Sequence, residues 1–447
     1  MKNVDFTVPS LIDTVVGLNT GIVRNLYWGK VMPEDVVVYN YGAHMADTQV
    51  LWGQPCNQRN GGVGWTHTDA LGATIGEALE RYALAYCPYL HLILAAWKDL
   101  PKEERPPHPR RWPHFSSEQL ETFRKRNIPF QSFTETTPVR WTLGWDLLHA
   151  RSAWIPAQTV YIPYRMDEKE TPIYNSISTG AAFHRTLERA LITGLFENFE
   201  RDAFSIWWHR KAQAPSIPKM DVLRIWPRAE EVFQKAERIW VKYITMDHRI
   251  PIVVVFALVS YFFPFINRRR RVLLMGASAR MTLEEALSKA FLEIAQTGPF
   301  YRYLAVQDPE MLSSIMLPEQ VHDFDQHAKY WIQHTEKHLA EISEWLSKGG
   351  EVRPTEILSL HPENDVEAVR ALLKIAQDMK VSPLWVDLTT PDLKSLGWAV
   401  KVLIPELMPL EGAHIFAYLG VQRLWDVPEK AGLACEPDPN PMPHPSP

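Results

Sequence analysis

Cysteine is scarce in this chain, and no cysteines are spaced as in a disulfide framework or a zinc site. Cys56, Cys87 and Cys435 are odd in number, far apart and outside any C-x-x-C pair. Disulfide frameworks and structural zinc sites use closely patterned cysteines, so neither is expected, and a reducing cytoplasm is the expected location. The first residues, MKNVDFTVPSLIDT, also lack the apolar stretch of a secretion signal.

Positive charge is in short supply as well. The 47 Lys and Arg residues face 52 Asp and Glu residues, which gives a net charge of −5. Binding to nucleic acid depends on a surplus of basic groups that contact phosphates. Nucleic acid is therefore not an expected partner.

One long apolar run, residues 250–266, superficially resembles a membrane span. It is at the short end for a membrane helix and contains Pro251 and Pro264. Its valine-rich first half predicts a buried strand, with a second strand at Val272 to Met275. We predict that the arginines at 268–271 form a solvated turn; a docking site for an acidic partner is the alternative. No membrane association is expected.

The common nucleotide and hydrolase fingerprints are missing too. No GxGxxG, GxxxxGK[ST] or GxSxG motif occurs at a strand–helix junction. His334 and His338 are four residues apart, but the glutamate between them is misplaced for a zinc-binding HExxH motif. Their polar neighbours predict a solvated helix face.

Against these absences stands a threefold repeat, at residues 66–81, 186–201 and 282–297. Each copy begins with Thr and has Ala four residues later and Glu eleven residues later. At about 100° per residue, offsets of 4, 7, 11 and 14 share one helical stripe. The polar residues at offsets 11 and 14 are, in chain order, Glu77 and Glu80, Glu197 and Glu200, and Glu293 and Gln296.

The neighbours on this stripe are small, including Ala70, Ala190 and Ala286, which favours a buried or cleft-lining face. Solvent-facing glutamates are the simpler interpretation for a single pair, but the recurrence favours the first one. Buried carboxylates without a partner are costly, so cations must accompany them. The candidates are metal ions, Mg²⁺ above all because it prefers oxygen ligands, and the side chains of Arg81, Arg201 and Lys289.

Strand-like segments precede these helices, with Gly at the junctions, which predicts a mixed α/β (α+β) fold with three pseudo-repeated strand–helix units. The last residues, EPDPNPMPHPSP, alternate proline with other residues. Such a segment is predicted to be extended and polyproline-like.

Four segments, taken in order, resemble the YcaO family. They are GVGWTHTDALGATIGEALER, STGAAFHRTLERALITGLFENFERD, GASARMTLEEALSKAFLEIAQ and VDLTTPDLKSLGWAVKVLIPELMPLEG. Within that family, the proline-alternating end is similar to that of the azoline-forming cyclodehydratases of thiazole/oxazole-modified peptide pathways. The resemblance implies a YcaO-type fold, with an ATP-binding catalytic domain at 1–430 and a tail at 431–447 that reaches the active site.

The activity implied is ATP-dependent. A Cys, Ser or Thr side chain of a ribosomal precursor peptide attacks the preceding backbone carbonyl, ATP phosphorylates the resulting oxyanion, and loss of phosphate leaves a thiazoline or oxazoline. By the same resemblance the metal ligands are Glu77, Glu80, Glu197, Glu200 and Glu293. Arg81, Arg201, Lys289 and Gln296 join them at ATP, and the catalytic groups are Glu200, Arg201 and the carboxylate of Pro447.

Two positions depart from the family pattern. Lys289 stands where an arginine is frequent, so its charge is kept but the two-pronged hydrogen bonding of arginine is lost. Val63 stands between two glycines where many members have lysine, so one cation is missing. Each departure either alters the affinity for the nucleotide or is a substitution without functional effect.

The resemblance also implies partners. No extra N-terminal domain for recognising a precursor's leader is expected in this chain, so a separate leader-binding protein is expected as well, with a homodimeric core. A flavin-dependent dehydrogenase that completes the azole is a further candidate. Two other functions stay open: thioamide or amidine formation by the same ATP chemistry, and a scaffold subunit without catalysis.

Overall fold

Segments that are distant in sequence combine into two units. The computed structural model describes residues 7–29, 32–263 and 266–446. The first unit comprises Met1–Lys30, Val38–Asn198 and Pro362–Glu406, and the second comprises Val31–Val37, Phe199–His361 and Leu407–Pro447. The functional division into 1–430 and 431–447 stays a prediction.

Two antiparallel sheets form the first unit, with strands and helices numbered in chain order through both units. One sheet has the order β1-β2-β3, with β1 at Val23–Trp28, β2 at Tyr39–Met45 and β3 at Arg59–Gly64. The other has the order β4-β5-β11-β12-β7, with β6 paired to β5. Its strands are β4 (Ile93–Ala95), β5 (Val139–Asp146), β6 (Arg151–Pro156), β7 (Ala181–His184), β11 (Leu384–Asp387) and β12 (Trp398–Leu403).

The helices of the first unit include α3, which packs closely on β3. Glycines make this approach possible, because a Cβ at Gly62 would lie 2.2 Å from the backbone nitrogen of Thr74, and one at Gly64 would lie 2.4 Å from that of Ala70. The helices are α1 (Val8–Val15), α2 (Thr48–Trp52), α3 (His67–Ala85), α4 (Ser117–Lys125), α10 (Asp365–Met379) and the first half of α5 (Leu187–His209).

The second unit is built on a three-stranded antiparallel sheet of order β10-β9-β8. The strands are β8 (Arg238–Tyr243), β9 (Ile252–Phe263) and β10 (Arg268–Ala279). The remaining helices are α6 (Lys219–Ile225), α7 (Ala229–Lys235), α8 (Leu283–Gln307), α9 (Phe324–Leu346) and α11 (Arg423–Lys430).

The long apolar run is a strand, as predicted. It forms β9, the middle strand of this sheet, where eight successive residues from Ile252 are buried. A strand covered on both faces needs apolar side chains at every position, which explains the length of the run. Within the described ranges, no helix combines the length and apolar character that crossing a membrane requires.

The prediction of a turn at the arginine run was wrong. Residues 268–271 begin β10 and pair directly with the end of β9, Arg268 opposite Phe263. Because β10 is an edge strand, its long side chains reach outward, and Arg271 pairs with Glu336 of α9. Backbone pairing with β9 therefore decides the structure of this segment.

The predicted solvated face at His334 and His338 was also wrong. His334 is buried on α9, and its Nε2 lies 2.7 Å from the carbonyl oxygen of Met316. His338 is half-buried, with its Nε2 2.9 Å from the hydroxyl of Tyr330. Both rings are satisfied packing residues, which a pattern of polar neighbours did not reveal.

The three sequence repeats are three copies of one local structure. In each, a strand leads into a helix: β3 into α3, β7 into α5, and β10 into α8. The first threonine of each repeat accepts a hydrogen bond from a backbone N–H of the first helical turn, at 3.1 Å for Thr66, 3.3 Å for Thr186 and 3.2 Å for Thr282. The predicted mixed α/β fold with pseudo-repeated strand–helix units is confirmed.

We expect Gly276→Ala to lower the free energy of unfolding by about 1–3 kcal/mol, because the added methyl group overpacks the contact between β10 and α8. Its Cβ would lie 2.1 Å from the carbonyl oxygen of Ala290. Gly76→Ala is the matched control, since its nearest contact, the carbonyl oxygen of Phe183, would be 3.8 Å away. Urea denaturation measures both variants, and equal stability would contradict the close strand–helix contact.

Candidate functional site

Each repeat ties its first glutamate to the backbone of the segment before its helix. The Oε2 atoms of Glu77, Glu197 and Glu293 accept hydrogen bonds from backbone N–H groups that lie 16 or 17 residues earlier. The donors are Gly61 at 3.3 Å, Gly180 at 2.9 Å and Ala277 at 3.1 Å, respectively. The pseudo-repeat is thus a repeated way of orienting a carboxylate.

In the first unit, three carboxylates interact with a single arginine. Arg81 lies 3.7 Å from Glu77 and 3.4 Å from Glu80. Burial raises the pKa of Glu80 to about 7; the positive charge of Arg81 opposes the rise, and the negative charges of Glu197 and Glu77 add to it. Although burial works against it, the pKa of Arg81 is raised by Glu80, Glu77 and Glu197. The negative charge of this group is therefore only partly compensated.

A buried lysine, Lys401, is the second cation of this group. It stands on β12, is 1% exposed, and its ammonium donates to the carbonyl oxygen of Ile177 at 2.6 Å. Burial lowers its pKa to about 7, against the opposing effect of Glu197 and Glu80. The next residue, Val402, donates its N–H to the carbonyl oxygen of Gly180 at 2.7 Å. Strand β12 thereby holds the loop whose Gly180 orients Glu197.

In the second unit, two of the predicted acids each have a cation and a backbone donor. Glu200 is buried, accepts from the N–H of Ala279 at 3.1 Å, and lies 3.7 Å from Nε of Arg201. On α8, Glu293 lies 3.2 Å from the ammonium of Lys289. Lys289 therefore acts as a cation beside the acid of its own repeat, as its position predicts.

A buried ion-pair network lies next to Glu200 on α5. Asp202 is 0% exposed and binds Nε2 of His248 at 2.8 Å, the N–H of Met408 at 2.7 Å and Nη2 of Arg423 at 2.7 Å. Burial alone would raise the pKa of Asp202, but Arg423 and His248 outweigh it and hold the pKa below its ordinary value. Arg423 also binds both oxygens of Asp247, at 2.6 and 2.8 Å.

Asp202, Asp247 and His248 also have the composition of a metal site, because ligand atoms of all three lie within 4.8 Å of one another. The guanidinium of Arg423 already pairs with both carboxylates. The arrangement is therefore that of a structural anchor, which holds the segments around residues 248, 408 and 423 on α5.

The proline-alternating tail is anchored within the second unit and has no helix or strand from 433 to 446. Near its end, from residue 440, its non-proline side chains are buried, with Asn440, Met442, His444 and Ser446 between 0 and 3% exposed. Two indole N–H groups donate to its backbone: that of Trp208 to Met442 at 3.0 Å, and that of Trp331 to Pro443 at 2.9 Å.

The tail comes close to one of the predicted site residues. Nη1 of Arg201 lies 3.1 Å from the hydroxyl of Ser446. Pro447 lies outside the described residues.

The predicted site residues thus fall into two groups, one in each unit. The first unit contains Glu77, Glu80, Arg81 and Glu197, and the second contains Glu200, Arg201, Lys289, Glu293 and Gln296. Glu197 and Glu200 stand one turn apart on α5, the helix that both units share. Their joint function as ligands of ATP and Mg²⁺ stays a prediction.

Sequence reasoning missed Lys401 and the partners of Asp202. The signal for Lys401 was an isolated charge within the apolar strand sequence WAVKVL. A charge at such a position is expected to be buried and paired. No comparable signal marked Arg423, because its partners are 176 and 221 residues away in sequence.

Comparison with known proteins identifies the family to which the chain belongs. The family described as YcaO cyclodehydratase, ATP- and Mg²⁺-binding, matches residues 61–408. The chain belongs to the YcaO family. No curated protein is similar enough in sequence to count as a match.

Solved structures share the fold. One described as a heterocyclase in complex with substrate and cofactor is 20% identical, with a TM-score of 0.72, and the match covers 98% of this chain. The chain spans 57% of the length of that heterocyclase.

Two others are matched over most of both chains. YcaO from Methanopyrus kandleri bound with AMPPCP and Mg²⁺ is 17% identical, with a TM-score of 0.58 and 86% of each chain covered. The E. coli microcin synthetase McbBCD complex with pro-MccB17 bound is 14% identical, with a TM-score of 0.58 and coverages of 91% of this chain and 94% of that one. At these identities the likeness shows the fold alone.

We expect Asp202→Asn to lower the free energy of unfolding by about 3–5 kcal/mol, because it removes one member of a buried, fully hydrogen-bonded ion pair. Asp426→Asn, on α11 and paired at the surface with Lys430, should change stability little. Urea denaturation of both variants measures the difference. Asp202→Asn with wild-type stability would show that the network does not anchor these segments.

Proposed function

We propose that the protein catalyses ATP-dependent cyclodehydration of Cys, Ser or Thr residues in a ribosomal precursor peptide. The thiol or hydroxyl adds to the preceding backbone carbonyl, and its proton is lost. The oxyanion formed takes the γ-phosphoryl group of ATP, releasing ADP. Elimination of phosphate, with loss of the amide proton, forms the C=N bond of the thiazoline or oxazoline. Family membership, through residues 61–408, supports the ATP-dependent class of reaction.

The observation that carries the proposal is the repeated carboxylate held by a backbone N–H. Glu77, Glu197 and Glu293 are oriented in the same way, and Glu80 and Glu200 stand one turn further along two of the helices. Phosphoryl transfer depends mainly on positioning and on neutralising the charge of the phosphates. Fixed carboxylates supply the oxygen ligands that this task requires.

The donor set fits Mg²⁺. All five proposed ligands, Glu77, Glu80, Glu197, Glu200 and Glu293, offer carboxylate oxygens, which are the ligands that Mg²⁺ prefers in proteins. The pKa of Glu80 is raised to about 7 by burial, which indicates that this carboxyl is short of positive charge. Mg²⁺ held by these carboxylates would supply positive charge that offsets the negative charge of the phosphates of ATP.

The chain's own cations have separate tasks in this proposal. Arg201 and Lys289 bind phosphate oxygens, while each also lies within 4.0 Å of an acid of its own helix. Lysine at position 289 offers a point charge, whereas arginine would offer two parallel hydrogen bonds. Arg81 and Gln296 complete the nucleotide contacts.

The tail is part of the proposal as well. Its buried side chains and the contact between Ser446 and Arg201 support a tail that reaches the active site. There the carboxylate of Pro447 would assist proton transfer, with Glu200 and Arg201 beside it.

We further propose that the protein works with partners in the cytoplasm. The fold likeness to a microcin synthetase complex with pro-MccB17 bound supports a peptide substrate and a leader-binding partner protein. A flavin-dependent dehydrogenase and a homodimeric core belong to the same proposal. Thioamide or amidine formation uses related ATP chemistry and is the second candidate; a scaffold subunit is the third.

Mass spectrometry tests the reaction directly. The protein is incubated with ATP, Mg²⁺, a Cys/Ser/Thr-containing peptide and a candidate leader-binding partner. We expect a loss of about 18 Da per ring, coupled to ADP formation, because each ring removes one water through phosphorylation. A gain of about 16 Da in the presence of a sulfide source would instead establish thioamide formation and contradict cyclodehydration.

Glu200→Gln provides the site-specific comparison. Glutamine keeps the size of the side chain but removes the charge, so ATP turnover should fall by at least about 100-fold. The far-ultraviolet circular dichroism spectrum and the melting temperature should show a folded protein. Wild-type turnover in this variant would remove Glu200 from the proposed metal ligands.

Magnesium binding should weaken as the pH falls. The pKa of Glu80 is raised to about 7 and that of Lys401 is lowered to about 7, so both groups take up protons below neutrality. Each uptake opposes a divalent cation, and the affinity should fall in total by roughly tenfold for each of the two protons between about pH 8 and pH 6, with most of the loss below pH 7. Calorimetric titration with Mg²⁺ alone measures this.

The control for this titration is Glu80→Gln, which should bind Mg²⁺ less tightly at about pH 8 and with a shallower pH dependence. Affinities that are equal at both pH values in the wild type would contradict a role for Glu80 in metal binding.

A further inference from the structure

This inference rests on the proposed role of the tail and concerns what holds the tail in place. Proline has a fixed φ angle and no N–H, so the alternation from 437 to 445 keeps the segment extended and limits its backbone hydrogen bonds. A shift by one residue would replace every inserted side chain with a proline ring. The register therefore depends on which side chain enters which site.

His444 is the most deeply buried of the inserted side chains, at 0% exposed. Its ring stacks on that of His327 on α9, with centroids 3.7 Å apart and planes inclined by 10°. His327 is also 0% exposed. The tail residue and the helix residue thus form one closed ring pair.

Hydrogen bonds place one proton on each ring. The Nε2 of His444 donates to the carbonyl oxygen of Glu411 at 2.8 Å, and the Nδ1 of His327 donates to the carbonyl oxygen of His444, also at 2.8 Å. In the described part of the chain, the other nitrogen of each ring is buried and has no hydrogen-bond partner. A second proton on either ring would therefore be a buried donor without an acceptor.

The surroundings of the pair agree with this. Burial lowers the pKa of His444 to about 4 and also lowers the pKa of His327. The carboxylate of Glu411 opposes these shifts but is itself bound by His209, 3.1 Å away. His414 is a further titratable group that acts on the pair, and Glu319 acts on His414 in turn.

We propose that His327 and His444 are a positioning pair that sets the register of the tail over residues 440–446 and docks it only while both rings are neutral. In this register Ser446 meets Arg201, the neighbour of the proposed ligand Glu200. Protonation of the pair places two like charges on stacked rings and releases the tail.

Oxidation of Met442 reports on docking without any assay of activity. Met442 is 3% exposed in the docked tail; Met220 is 72% exposed and Met275, on β10, is 2% exposed, so they serve as internal references. With dilute hydrogen peroxide and mass spectrometry at about pH 7.5, we expect wild-type Met442 to be protected as well as Met275. In His444→Ala, oxidation of Met442 should be roughly tenfold faster or more, because opening the tail then costs less.

Two controls separate tail release from unfolding. Met275 should stay protected in His444→Ala, which shows that the sheet is intact. Asp438→Ala changes an exposed residue of the same tail and should leave Met442 protected. Protection of Met442 in His444→Ala would overturn the proposal.

The pH profile tests the neutral pair. The folded pKa values of the pair lie below the unfolded value of about 6.5, so docking is strongest above that pH and weakens as the pH falls toward 4, roughly tenfold per pH unit for each histidine. His444→Gln can still donate to Glu411 but does not titrate, so its Met442 protection should fall about half as steeply. Identical slopes in the wild type and this variant would contradict the proposal.

The same samples separate this inference from the proposed reaction. If Met442 becomes exposed in His444→Ala while cyclisation is unchanged, the tail has no role in the reaction but the positioning pair stands. If Met442 stays protected, the positioning pair is wrong whatever the activity.

Discussion

The structure of the site depends on one repeated interaction, the hydrogen bond between a helix glutamate and a backbone N–H of the segment that precedes the helix. It recurs at Glu77, Glu197 and Glu293 with donor–acceptor distances between 2.9 and 3.3 Å. The bond requires the helix to pack closely on its strand, which glycines such as Gly62 and Gly276 permit. Small residues and acids therefore recur together in the three repeats.

The clustered glutamates repel one another, and each unit offsets this repulsion with different cations. In the first unit Arg81 and the buried Lys401 oppose three glutamates, and Glu80 remains hard to ionise. In the second, Arg201 and Lys289 each accompany one glutamate. Both solutions leave carboxylates for which a divalent cation would be a favourable addition.

Helix α5 carries a proposed metal ligand, Glu200, and an anchoring residue, Asp202, on different sides. Glu200 and Asp202 are two residues apart, about 200° around the helix, so they point to different sides. Asp202 is used entirely in anchoring, with Arg423, His248 and Met408 as its partners. Asp202, which follows the candidate-site residues Glu200 and Arg201 on α5, is thus held by residues outside the candidate site.

Much of this arrangement could be predicted from the sequence. The helical stripe, the threonine at the start of each helix and the paired cations follow from local periodicity. The burial of Lys401 could not be predicted with the same security, because it depends on pairing between strands that are 220 residues apart.

The arginines at 268–271 also show that contacts distant in sequence decide local structure. Their charge favours a turn, but pairing with β9 makes them a strand. His334 was likewise assigned by its polar neighbours in sequence, whereas its partner Met316 comes from a separate segment. Local pattern predicts the elements well and non-local contacts poorly.

The central claim is that the oriented carboxylates bind ATP through Mg²⁺. Calorimetric titration of ATP into the protein, with Mg²⁺ and then with a chelator, tests it in the wild type and in Glu197→Gln. We predict binding that requires Mg²⁺ and weakens by at least about 100-fold in the variant, a loss of roughly 2.7 kcal/mol. Binding of equal affinity with the chelator, or in Glu197→Gln, would contradict it.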